Sequence, residues 1–264
     1  MPLIAVRDGC QMHVETLGSG HPVVLIPGLG GSARFWSAIA PALAKTFRVI
    51  LFDHRGAGRS DRPVQEYRVE TLARDLSDIL AKLGIGKAHL VGHSTGGAIA
   101  QVMALDWPRH VDRLVLSGTW ARPTPHFNAL FRFRLHVLET LGAEAYARLT
   151  PLLGYLPDWL NRHPDILEVD PEPALADLSP VAVAAARIRM LLAFDRSADL
   201  ARIAAPTLVL GARDDMVVAC EQSKELAERI PDARLSVLEG GHFFPRAHPG
   251  RFLEQLRFLS EAST

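Results

Sequence analysis

The sequence is poor in cysteine, and the two it has, Cys10 and Cys220, stand far apart. No C-x-x-C pair or Cys/His cluster is present, which argues against a disulfide framework and against the usual zinc spacings. The eleven histidines contain no H-E-x-x-H or comparable spacing, so no metal ligand set is expected. An excess of charge of one sign is missing too: 29 Lys and Arg balance 29 Asp and Glu. With the two signs interspersed, nothing draws the chain to nucleic acid or to an anionic membrane. No apolar run approaches the about 20 residues that span a bilayer, and residues 1–11 lack the basic start and long apolar core of a signal peptide. There are no internal repeats and no low-complexity segments. What is there is 264 residues with 48% hydrophobic content, enough for the core of a single α/β domain. Such a chain is expected in a reducing, cytoplasmic setting, with a small molecule as its partner. Its oligomeric state is not legible.

The most informative stretch is AHLVGHSTGGAIA, residues 88–100. Residues 88–91 form a short apolar run of the kind that makes a buried strand, and an apolar helix is expected to follow through Trp107. Between them lies Gly92-His93-Ser94-Thr95-Gly96, a G-x-S-x-G turn in the strand–turn–helix setting that exposes a serine hydroxyl above a sheet. Gly92 and Gly96 carry no Cβ, so strand and helix can approach closely around the turn. The helix N-terminus turns its free N–H groups and positive dipole end toward the same spot, which favours an oxyanion.

Around this centre, buried strands alternate with helices. Strands are expected at residues 3–6, 12–16, 23–26, 47–52, 88–91, 114–117, 207–210 and 234–238. The first two flank the Asp8-Gly9 turn as an edge hairpin. Ser32 is a candidate cap for a helix running to Lys45. Leu72, Leu76, Ile79, Leu80 and Leu83 recur at helical spacing, with Gly84 at the stop. Further helices are expected at 220–230 and from Pro249 onward. The alternation argues for a parallel sheet. It breaks between residues 121 and 200, where three helices punctuated by prolines 151, 157, 164, 171, 173 and 180 are expected. Residues 1–120 and 201–264 therefore read as one core, and 121–200 as an inserted helical cap.

Functional groups of open α/β sheets gather beyond the carboxyl ends of the strands. Three candidate catalytic residues stand at such ends: Ser94, Asp214 and His242. Serine needs a neighbouring base to act as a nucleophile. His242 can take its proton and return it to the leaving group, and Asp214 can hold the imidazole tautomer. Asp214 is preferred because its offset from Gly211 gives Gly-x-x-Asp; Asp215 stands beside it as the alternative. The backbone N–H groups of Leu29 and Thr95 are the expected oxyanion donors. His93 reads as structural, and Asp53, His54 and Arg55 as loop-stitching residues. At the entrance to the insert, Trp120 is the one aromatic expected to face a substrate.

Four local patterns then give a resemblance: Pro27-Gly28-Leu29-Gly30; Asp53-His54-Arg55-Gly56-Ala57-Gly58-Arg59-Ser60-Asp61; Gly92-His93-Ser94-Thr95-Gly96-Gly97; and Gly240-Gly241-His242. Over nearly its whole length the chain resembles the α/β-hydrolase fold enzymes, whose catalytic triad has the chain order Ser…Asp…His. The resemblance implies a mostly parallel eight-stranded sheet with flanking helices, a helical cap and no cofactor. Trp120, residues 156–160 and residues 214–220 are similar to the aminoacrylate hydrolases of pyrimidine degradation, with 3-oxoadipate enol-lactonases and small carboxylesterases close behind. Pro27 stands where many members carry histidine. The expected activity is hydrolysis of a small ester, lactone, amide or carbamate. Perhydrolysis on the same acyl-enzyme, or a receptor that retains the triad, are the alternatives.

Overall fold

The computed structural model describes residues 3–168 and 179–261. Eight strands make one sheet: β1 (Leu3–Ala5), β2 (Gln11–Leu17), β3 (Pro22–Ile26), β4 (Arg48–Phe52), β5 (Ala88–His93), β6 (Val111–Ser117), β7 (Thr207–Ala212) and β8 (Arg234–Leu238). Their order across the sheet is β1-β2-β4-β3-β5-β6-β7-β8. The β1–β2 and β2–β4 pairs are antiparallel, and every pair from β4 through β8 is parallel. The eight expected strands are these eight, displaced by no more than three residues at any end.

The central strands are apolar on both faces because helices cover both. Alternation along β3 divides the core. Val24 and Ile26 join Leu90, Leu114 and Val209 on one face, while Val23 and Leu25 join Val91, Val115, Leu210 and Trp36 on the other. Helix α2 (Val69–Lys82) buries Leu72, Leu76, Ile79 and Leu80, the stripe that its sequence spacing predicts. It stops at Gly84, which takes the left-handed φ of 67° that a residue without Cβ adopts at little cost.

Two helices depart from expectation, each for a local reason. The helix expected from Ser32 to Lys45 is a 3₁₀ turn (Ala33–Trp36), capped by Ser32, and then the short α1 (Ala40–Leu43). Pro41 has no N–H to give and its ring would meet the preceding turn, so one continuous helix is not available. Two helices expected within 131–152 form the single run α4 (Pro125–Gly154), broken at Gly142, where φ is 87° and ψ is −179°.

Among the described residues, no strand lies between β6 and β7. That interval holds α4, α5 (Pro157–Arg162), α6 (Asp165–Glu168) and α7 (Val181–Ala193). The expected breaks at Pro171 and Pro173 fall outside the described residues. After β7 come α8 (Cys220–Arg229), α9 (Phe244–Ala247) and α10 (Pro249–Gln255). No described helix is long and apolar enough to cross a membrane.

Candidate active site

Ser94 sits on the turn between β5 and α3 (Thr95–Asp106), near the middle of the sheet. Its backbone is at φ 55° and ψ −120°, a region that an L residue occupies only when its surroundings hold it there. Here they do. The Ser94 amide donates to the Ser117 carbonyl at 2.8 Å, while the Gly97 and Ala98 amides donate to the Ser94 carbonyl at 2.9 and 3.3 Å. A Cβ on Gly92 would come within 2.2 Å of the Gly96 carbonyl oxygen, and one on Gly96 within 2.1 Å of the Ile26 carbonyl oxygen. Only glycine closes this turn.

Two neighbouring strand ends bring the partners. His242 lies in the loop after β8, and its Nδ1 is 2.7 Å from Asp215 Oδ2. Asp215 lies in the loop after β7 and is buried, whereas Asp214 is exposed. The acid at His242 is therefore Asp215, not the expected Asp214. The correction has a structural cause. β7 runs on to Ala212, two residues past the strand read from sequence, so counting from Gly211 started inside the strand. The turn then folds back on itself: Asp215 Oδ1 accepts from the Val217 and Val218 amides, both at 2.8 Å, which holds the carboxylate inward. An imidazole bonded through Nδ1 to a carboxylate has Nε2 left to accept a proton.

The loop carrying His242 is also tied to the helical segment. The Phe243 amide donates to the Gly154 carbonyl at 2.8 Å, and a Cβ on Gly154 would sit 2.2 Å from the Phe243 ring.

His93 is buried between these groups. Its Nδ1 is 3.0 Å from Ser117 Oγ, and its ring stacks on Phe35 with centroids 4.8 Å apart. Burial, and after it the neighbouring His242, hold its pKa well below the ordinary value. The folded state keeps His93 neutral while the unfolded chain takes up a proton below about pH 6.5. Stability therefore falls as pH drops through that range, with this residue contributing up to about 1.4 kcal/mol per pH unit. His93→Gln removes that contribution. Urea unfolding between pH 7 and 5 is expected to show a shallower loss of stability for the variant. An unchanged slope would mean that the folded protein accepts the proton.

The loop after β3, residues 27–31, faces Ser94. A Cβ on Gly28 would be 3.2 Å from the Ser94 Cβ. The loop turns through a Gly31 amide to Gly28 carbonyl bond of 2.9 Å, and the His54 amide holds the Gly31 carbonyl at 2.8 Å. Asp53 spans the neighbouring loops, accepting from the Ala33 amide at 2.7 Å and the Arg59 amide at 2.8 Å. Arg55 pairs with Asp75 through two bonds of 2.9 and 2.7 Å. The expected stitching residues thus do tie down the loop after β4, Arg55 by pairing with Asp75 of α2.

Ser94 and His242 open onto one cavity of about 670 Å³, lined from the sheet side also by Gly28, Leu29 and Phe35, and from the helical segment by Phe131, Arg134, Tyr146 and Arg187. Trp120 is not among its lining residues. It is fully buried, with its ring 4.6 Å from Phe127 and 6.2 Å from Phe194, so the residue expected to meet substrate packs the core instead. Arg134 and Arg187 were missed, because an arginine on an apolar helix face gives no sequence signal for what it faces. Among the described residues, one cluster could hold a metal ion: His21, His89 and Asp112. It lies at the opposite end of the sheet, at the starts of β5 and β6, and Asp112 already pairs with Lys87 at 3.1 Å.

Comparison with known proteins agrees with this fold. The family pattern described as "alpha/beta hydrolase fold" matches residues 21–154, and one described as "Serine hydrolase (FSH1)" matches residues 168–251. A relative from Caulobacter segnis named "Putative carbamate hydrolase RutD" is 40% identical over 256 residues, covering 96% of each chain. The crystal structure of the enol-lactonase from Burkholderia xenovorans superposes with a TM-score of 0.90 at 27% identity, covering 98% of this chain and 100% of the other. A thermophilic esterase from Thermogutta terrifontis gives 0.85 at 27% identity, covering 98% and 97%. By its sheet, its serine turn and these matches, the chain belongs to the α/β-hydrolase fold family.

Proposed function

We propose that the chain is a serine hydrolase that cleaves a small ester, lactone, amide or carbamate through an acyl-enzyme on Ser94. The observation that carries this reading is the 2.7 Å bond between His242 and Asp215, on the cavity that Ser94 enters from a strained turn. His242 donates its Nδ1 proton to Asp215 and presents Nε2 as the base. Ser94 Oγ attacks the substrate carbonyl as His242 takes the hydroxyl proton. The tetrahedral oxyanion is received by the N–H groups of Leu29 and Thr95, the second at the N-terminus of α3. Collapse breaks the bond to the leaving group, which leaves with the proton from His242. Water then adds to the acyl-enzyme by the same steps and frees Ser94.

The helical segment, residues 121–200, acts as the lid, since its side chains supply the far wall of the cavity. That wall also supports a preference in charge. Among its described lining residues none is acidic, while Arg134 and Arg187 are buried in it. Arg134 donates to Tyr146 Oη at 2.8 Å and to Thr150 Oγ1 at 3.1 Å, and its Nε has no hydrogen-bond partner. A carboxylate is the group that completes such a guanidinium. The reading therefore favours short acyl substrates bearing a free carboxylate; the carbamate in the name of the Caulobacter relative is likewise a small acyl group.

Two substrate series test this. Across nitrophenyl acetate, butyrate, octanoate and palmitate, kcat/KM is expected to be highest for the short acyl groups. Methyl hydrogen succinate is expected to exceed dimethyl succinate by about tenfold or more, the worth of one charge-assisted hydrogen bond, and Arg134→Gln to erase that gain. A rise toward palmitate would point to a lipid-binding site. Absence of turnover on every ester and on the corresponding amides would overturn the hydrolytic reading.

A further inference from the structure

Arg187 reaches from α7 into the core, and it is 2% exposed. Its three partners among the described residues all lie in loops that follow β3 and β4. Nη2 donates to the Leu29 carbonyl at 2.8 Å and lies 3.3 Å from His54 Nδ1, and Nη1 donates to the Arg55 carbonyl. The fit is close: a Cβ on Gly31 would fall 2.6 Å from Nη2. Ser179, just before α7, makes a second crossing with its hydroxyl donating to the Gly56 carbonyl.

Among the described residues, no acid accompanies this guanidinium. Its partners are two carbonyls and an imidazole, and burial lowers its pKa to about 10. His54, facing it, is held neutral by burial and by Arg187 itself. A buried cation without a counter-charge is a poor device for holding a helix against a sheet, since apolar side chains of similar volume do that without the desolvation cost. The position of the charge supplies the reason to keep it. Leu29 is the residue whose N–H is assigned to the oxyanion, and Arg187 grips the carbonyl of the same residue.

We propose that Arg187 is a positioning residue for the oxyanion hole: from the helical lid it fixes the 27–31 turn with the Leu29 N–H aimed at the reacting carbonyl, and it sets a fixed positive charge beside the negative charge that forms only in the transition state. The proposal rests on the serine-hydrolase reading. It means that the lid contributes to chemistry as well as to access, because the hole is complete only when α7 is docked. It also separates the two buried arginines: Arg134 receives the substrate's own charge, and Arg187 serves the charge created during reaction.

The test uses Arg187→Met and Arg187→Lys in the full chain, with a neutral short-chain ester as substrate and an alkyl boronic acid as probe. The boronic acid becomes a tetrahedral anion on the serine and reads the oxyanion hole directly, while KM for the neutral ester reads ground-state contacts. Arg187→Met is expected to lower kcat by on the order of 10²-fold, the usual effect of losing one oxyanion donor. KM should change by less than about threefold, and boronate affinity should fall by nearly the factor lost from kcat. Arg187→Lys keeps the charge but not the two-carbonyl grip, and is expected to recover part of both losses. A lower melting temperature with kcat and boronate affinity unchanged would make Arg187 a tie between helix and sheet only. If Arg187→Met does not fold, Arg187→Lys decides: wild-type kcat and boronate affinity in it would equally overturn the proposal. Failure of the underlying reading is distinct, because the wild-type protein would then hydrolyse the ester no better than Ser94→Ala.

Discussion

Ser94→Ala is expected to lower kcat by on the order of 10⁵–10⁶-fold while leaving the fold intact, the loss seen when a nucleophilic serine is removed from a working triad. The fold should survive because the change removes one oxygen and no backbone contact. The bonds that hold the turn run through the Ser94 amide and carbonyl, and alanine meets a φ of 55° at a cost similar to that of serine. The residual rate should come from binding and from the oxyanion donors alone. A phosphonofluoridate probe gives the same answer without a substrate. It should add one adduct, on Ser94, visible by intact mass and peptide mapping, and none to the alanine variant. Labelling or turnover retained in Ser94→Ala would move the nucleophile elsewhere.

The second large effect separates two adjacent aspartates. Asp215→Asn is expected to cost about 10⁴-fold in kcat, and Asp214→Asn no more than about twofold. Asparagine fits the Asp215 site without disturbing it, because Oδ1 goes on accepting from the Val217 and Val218 amides. Its NH₂ group then takes the place of Oδ2, and a donor there forces His242 to present an unprotonated Nδ1. The proton moves to Nε2, which can no longer accept one from Ser94. Asp214 is exposed and does not meet the imidazole, so its substitution should pass almost unnoticed. Reversed magnitudes in steady-state kinetics would mean that the loop after β7 rearranges when substrate binds.

These two aspartates mark the limit of what the sequence can say. The serine turn is legible because its geometry admits few solutions: a strand, a helix and two close backbone approaches require glycine at Gly92 and Gly96, whatever the rest of the chain does. The parallel sheet is legible because strands covered on both faces become apolar runs. The acid is a different kind of problem. Whether Asp214 or Asp215 points inward depends on where β7 ends, and an alternating structure reverses its facing with each added residue. Trp120 was misjudged because an aromatic at the edge of a helical segment has the same appearance whether it fills a core or lines a cavity. The arginines were silent for a related reason. The charge of Arg187 is visible in the sequence, but its grip on the Leu29 and Arg55 carbonyls belongs to the three-dimensional neighbourhood.

The bond from the Phe243 amide to the Gly154 carbonyl joins the proposed lid to the loop of the proposed base. On the proposed mechanism, a motion that lifted the end of α4 off the sheet with this bond intact would also withdraw the loop that carries His242. On the proposed mechanism, such an open form can admit substrate or release product but cannot deprotonate anything, so it is chemically silent. An acyl-enzyme exposed by premature opening would meet bulk water with no imidazole in place to activate it. On that mechanism, hydrolysis is confined to the closed form.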